Sequence, residues 1–78
     1  MEAHRFISAK GKAEYRFVLT EQEYHNMDND NEGFCVRCSE VAYGVEPDAR
    51  NYTCECCDKP GVYGAQELLM MNRIEFCD

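Results

Sequence analysis

Two C-x-x-C pairs separated by fifteen residues, in a chain of 78 residues with six cysteines, predict a small α+β domain held together by a bound metal ion. Size points the same way, because a chain this short buries too little apolar surface to be comfortably stable on its core alone. The third observation is patterning: short strand-like and helix-like apolar runs flank the cysteines, with turn residues between them.

The N-terminal segment, residues 1–33, reads as a β-hairpin, a short helix and an acidic loop. Strands over residues 5–9 and 13–19 enclose the turn Lys10-Gly11-Lys12, since Tyr15, Phe17 and Leu19 alternate and Gly11 tolerates a positive φ. Thr20 followed by Glu23 is a capping box, in which each side chain satisfies an orphan N–H at a helix start, so a helix runs from residue 21 to about 27. Residues 28–33 (Asp-Asn-Asp-Asn-Glu-Gly) lack an apolar anchor and read as a solvated connection. Their oxygens suit Ca²⁺, yet the remaining ligands of an EF-hand loop are missing.

Residues 34–78 follow the order knuckle, strand, turn, strand, knuckle, helix. Strands are expected over 41–45 and 51–54, joined by a turn at 46–49 that Pro47 favours by presetting φ; this hairpin is expected to bring the two cysteine pairs together. Lys59-Pro60-Gly61 closes the second knuckle, and a helix runs from residue 65 to about 72. This is the layout of a zinc ribbon, with two C-x-x-C knuckles on a β-hairpin and a C-terminal helix.

Spacing assigns Cys35, Cys38, Cys54 and Cys57 as ligands of one structural Zn²⁺. A two-residue gap turns the chain tightly enough for both sulfurs to reach the same ion, and two such turns supply four tetrahedral corners. Soft thiolates select zinc or iron over Mg²⁺ and Ca²⁺, which leaves iron as the competing metal. Disulfides are the other use of cysteines at this density, but residues 1–12 carry no secretory apolar core, and a cytoplasmic, reducing location is expected. Cys56 and Cys77 are left over as free thiols, and His4 and His25 are lone histidines in polar surroundings. No stretch approaches the length of a membrane span.

The net charge of −7 is uneven: residues 1–16 carry +2, whereas residues 17–36 carry −5 with Glu21, Glu23, Asp28, Asp30 and Glu32 and no cation. Four thiolates around a divalent ion would take the total to about −9. Such a balance disfavours a phosphate-backbone binder, although Arg5, Lys10, Lys12 and Arg16 near Phe6 and Tyr15 form a basic segment. Catalysis is not expected, because four thiolates leave a metal no open position, and Ser39, His25 and Asp48 follow no triad motif. A protein partner is expected instead. The apolar residues Leu68, Leu69, Met70, Met71 and Ile74 span an arc wide enough for a partner groove or a homodimer seam, unless the N-terminal hairpin folds over them and completes one core. The acidic stretch from Glu21 to Glu32 is the second candidate surface.

Residues 34–71 resemble the zinc-ribbon small proteins of bacteriophages and prophages, most of which are uncharacterised. The resemblance lies in the two C-x-x-C pairs, in Tyr43-Gly44-Val45-Glu46-Pro47-Asp48-Ala49-Arg50 and in Val62-Tyr63-Gly64-Ala65, and covers about half the chain. It implies a phage or prophage origin and a cytoplasmic setting in a bacterial host. By analogy with acidic phage-encoded small proteins, a regulator or inhibitor acting on a host or phage protein is expected. Ser39 and Asp58 stand where such knuckles usually place glycine.

Overall fold

A computed structural model of the protein describes residues 2–77. Strands β1 (Glu2–Ile7) and β2 (Ala13–Leu19) pair antiparallel, in a register running from Glu2 opposite Val18 to Ile7 opposite Ala13. Gly11 takes φ +79° in the turn, and the Ser8 N–H donates to the Lys12 carbonyl at 2.8 Å. The first strand starts earlier and ends sooner than residues 5–9. Pairing with the strongly patterned β2 sets its limits, not its own weak alternation. That alternation sends Phe17 and Leu19 into the core.

Helix α1 (Glu21–Asn29) starts at the expected box: the Glu23 N–H donates to Thr20 Oγ1 at 3.1 Å, and the Thr20 N–H to Glu23 Oε1 at 2.9 Å. It runs two residues past residue 27, so the acidic connection is much shorter than the sequence suggested. Asp30 caps the helix, Asn31 takes φ +53°, and the chain enters β3 (Glu32–Cys35) at once. Asn is among the few residues that visit the left-handed region readily, which allows so tight a reversal.

The β3 strand is the centre of a second sheet in the order β4-β3-β5, with β4 (Val41–Tyr43) and β5 (Val62–Gly64) both antiparallel to it. The expected pairing of residues 41–45 with 51–54 does not form. Tyr52 instead exchanges two hydrogen bonds of 3.0 Å with Val62, as an isolated bridge on the far side of β5. The physical reason is that each C-x-x-C turn returns the chain beside its own incoming strand, so each knuckle closes its own hairpin. The turn at 46–49 is present, with the Ala49 N–H donating to the Glu46 carbonyl at 2.9 Å.

Helix α2 (Ala65–Met70) ends earlier than residue 72. Asn72 takes φ +60°, and the chain reverses into β6 (Ile74–Phe76), which joins β2 in parallel and completes a sheet in the order β1-β2-β6. Ile74 therefore belongs to a strand, not to the helix. The apolar arc read along one helix is divided between two elements: Leu68 and Ile74 are buried, and Leu69 and Met70 remain exposed. Phe17, Leu19, Met27, Phe34, Val36, Ala65, Leu68 and Ile74 form one core, to which the segments before and after residue 33 both contribute. Among the described residues, no helix is long and apolar enough to cross a membrane.

Candidate metal centre

A second buried cluster, Cys35, Val45, Ala49, Cys54 and Val62, surrounds the sulfurs. Cys35 is the last residue of β3, so the central strand carries the first sulfur directly. The two knuckles have the same backbone plan. The Ser39 N–H donates to the Cys35 carbonyl and the Asp58 N–H to the Cys54 carbonyl, each at 2.8 Å; the Cys35 N–H donates to Glu40 and the Cys54 N–H to Lys59, each at 2.9 Å. Ser39 and Asp58 take φ +69° and +64°, the left-handed conformation that glycine supplies without strain. Replacing Ser39 with Gly relieves that strain at a smaller cost in chain entropy. Ser39→Gly is expected to stabilise the metal-loaded protein by roughly 0.5–1 kcal/mol in urea unfolding, with a smaller gain for Asp58→Gly because Asp accepts this region better. A lower urea midpoint for Ser39→Gly would contradict this.

Pairing of β3 with β5 brings the knuckles face to face. The Cys35 and Cys57 Sγ atoms lie 3.7 Å apart, those of Cys38 and Cys54 lie 3.6 Å apart, and all four sulfurs fall within 4.8 Å of one another. A disulfide needs about 2.05 Å, so these are separate sulfurs. Zn–S bonds of about 2.3 Å at tetrahedral angles put neighbouring sulfurs about 3.8 Å apart, which the two close pairs match. The four cysteines can hold one metal ion. Gly61 lets the chain pass close by: a Cβ there would lie 2.7 Å from Arg37 Cγ and 3.1 Å from Cys35 Sγ.

The electrostatics differ between sulfurs. Burial works against the Cys54 thiolate, but N–H groups of Cys57 and Cys56 and the thiols of Cys38 and Cys35 donate towards it and together bring it down to about 7; the Cys56 N–H lies 3.3 Å from that sulfur. Burial pushes the Cys35 and Cys38 thiols up. One sulfur is thus poised to ionise in the ion-free site, and a cation favours ionisation of Cys35 and Cys38, which burial otherwise opposes.

The residues left outside by spacing are elsewhere. Cys56 is exposed on the second knuckle, and Cys77 is exposed just beyond β6, its N–H donating to the Leu19 carbonyl at 2.9 Å. His4 lies beside Glu2 on β1, and His25 lies on α1 against Tyr24. Asp28 Oδ1 accepts from Gln66 Nε2. Ser39, His25 and Asp48 sit respectively on the first knuckle, on α1 and in the 46–49 turn. Sequence reasoning missed a basic cleft between the hairpin turn and the first knuckle, whose lining includes Lys10, Arg37 and Arg73. Arg73 donates to Glu14 Oε1 at 2.9 Å and stacks its guanidinium over Phe6 at 4.8 Å. No local motif announces this cleft, since its cations come from three distant parts of the chain.

Fold and site together define a small α+β domain whose two cysteine knuckles form a four-sulfur pocket for a metal ion. No family model, no curated protein and no solved structure matches the chain.

Proposed function

We propose that the protein is a non-catalytic zinc-ribbon module, with Cys35, Cys38, Cys54 and Cys57 holding one structural Zn²⁺, that works by binding another protein in the cytoplasm. The single observation that carries the metal reading is the gathering of four sulfurs from two knuckles of the same backbone plan. Four thiolates fill a tetrahedral ion's coordination, so the metal's contribution is to cross-link the two hairpins and not to activate water. Zinc fits better than iron in a role without redox chemistry. The acidity of residues 17–36 supports a basic protein partner over nucleic acid, and the resemblance of residues 34–71 supports a phage-encoded regulator or inhibitor of a host or phage protein.

The basic cleft at Lys10, Arg37 and Arg73 favours a second reading, a nucleic-acid-binding transcription accessory factor. Native mass spectrometry is expected to find one zinc per chain. Gel-shift titration at micromolar protein is expected to show no salt-dependent complex with DNA or RNA. A metal-free chain overturns the zinc reading, and a complex that weakens steeply with salt overturns the preference for protein partners.

A further inference from the structure

The structure leaves open a groove of about 740 Å³ between β4 and residues 52–56, where the expected hairpin pairing does not form. One wall is the edge strand β4. The Cys35 N–H donates to the Glu40 carbonyl, which makes Cys35 and Glu40 a hydrogen-bonded pair of the antiparallel ladder. Alternation then makes Gly33 and Ala42 the next such pair, and Phe34–Val41 and Glu32–Tyr43 the non-bonded ones. The backbone N–H and C=O of Val41 and Tyr43 therefore point away from β3. On the opposite wall Tyr52 bonds to Val62 and the Cys54 N–H to Lys59, which turns the backbone groups of Thr53 away from β5 by the same alternation.

The groove is also chemically one-sided. Its charged lining residues are Glu40 and Glu55, with no Lys or Arg among them. Tyr43, 77% exposed, and Tyr52, 41% exposed, stand at its sides. Natural edge strands are commonly blunted by Lys, Pro or a covering element; β4 is Val-Ala-Tyr and carries neither residue. An open edge, acidic side chains and exposed rings suit an extended chain bearing cations, which can pair by backbone, reach carboxylates and lie over aromatic faces.

We propose that the groove between β4 and residues 52–56 docks an extended, Lys- or Arg-bearing segment of a partner protein as an added strand on β4. The proposal rests on the protein-binding reading above and names the surface and the partner's chemistry. Backbone pairing to Val41 and Tyr43 supplies the register, and Glu40 and Glu55 select for positive charge.

The test is a ¹⁵N–¹H titration of the zinc-loaded protein with three end-capped hexapeptides of alternating residues: Lys-Val, Lys-Pro and Glu-Val. Saturable shifts of the Val41, Tyr43 and Thr53 amides are expected with Lys-Val, with binding at least tenfold weaker for Lys-Pro, which has equal charge but lacks the N–H donor at every second residue and pairs poorly as a strand. The Glu-Val peptide is expected to stay silent. Equal response to both cationic peptides, shifts centred elsewhere, no shift, or a DNA oligonucleotide saturating the same amides would each overturn the docking site. Tyr43→Pro removes one of the two outward donors of β4 and is expected to weaken Lys-Val at least tenfold. Because that variant can also disturb folding, Glu40→Lys combined with Glu55→Lys is the second probe, expected to weaken Lys-Val at least fivefold while keeping one zinc. Silent peptides on an intact zinc-loaded spectrum sink this surface alone, whereas a complex with DNA or RNA that weakens steeply with salt sinks the protein-binding reading beneath it.

Discussion

Stripping the metal with excess chelator at neutral pH is expected to unfold the protein, with loss of the dispersed amide spectrum and of the near-ultraviolet signal together. The cluster around the sulfurs is small, and two of its five buried members are themselves cysteines. A chain of this size has a net stability on the order of 4–12 kcal/mol, while structural zinc sites of this kind bind with apparent free energies of about 10–16 kcal/mol at neutral pH. Losing the ion therefore removes as much free energy as the folded state has in reserve. Cys35→Ser and Cys57→Ser are expected to abolish stoichiometric zinc, and Cys56→Ser to keep it, because Cys56 lies outside the four-sulfur group.

Acid acts through the same site. Burial raises the Cys35 and Cys38 thiols in the ion-free protein, so binding must displace at least those two protons. Zinc affinity is then complete only at higher pH and falls as pH falls, by at least about a hundredfold per unit. A competition titration with a chromophoric chelator at two pH values measures this directly. A pH-independent affinity, or a chelated protein with an unchanged spectrum, contradicts the zinc-held fold.

Phe17→Ala is expected to cost about 3–5 kcal/mol, the largest loss from any single core truncation here. Phe17 is fully buried on β2, opposite Ala3 on one side and Ile74 on the other. Its ring stacks on Phe34 of β3 with centroids 4.4 Å apart and planes 28° from parallel. Its N–H donates to the Arg73 carbonyl at 2.7 Å. The residue thus ties the first sheet to the second and also seats the C-terminal strand. In thermal unfolding with excess zinc, the midpoint is expected to fall by about 12 °C or more, using 4–8 °C per kcal/mol for chains of this length. Val18→Ala, on the opposite face of β2 and only half-buried, is the control. A loss at Phe17 no larger than at Val18 would mean that the two sheets do not depend on one another.

Signals contained within a few residues were legible before any coordinates. Thr20 and Glu23 announce the start of α1, Gly11 the hairpin turn, Pro47 the turn before Ala49, and the two C-x-x-C spacings the cysteines that gather. Each rests on short-range sterics or hydrogen bonding, which the neighbouring residues determine. The left-handed backbone at Ser39 and Asp58 was legible in position but not in residue type, since hairpin closure imposes it against the preference of both side chains.

The pairing of strands was not legible. β3 is four residues containing a glycine, β6 is three residues that looked like the tail of a helix, and neither has an alternation long enough to reveal its partner. Local chemistry determined the metal-ligating residues, the caps and the turns. Only the tertiary structure decided that β3 takes β4 and β5 as neighbours, that Ile74 crosses to β2, and that residues 52–56 stay apart from β4. The reason is physical: sheet pairing is selected by burial shared between distant segments, and a strand's own sequence carries only half of that interaction.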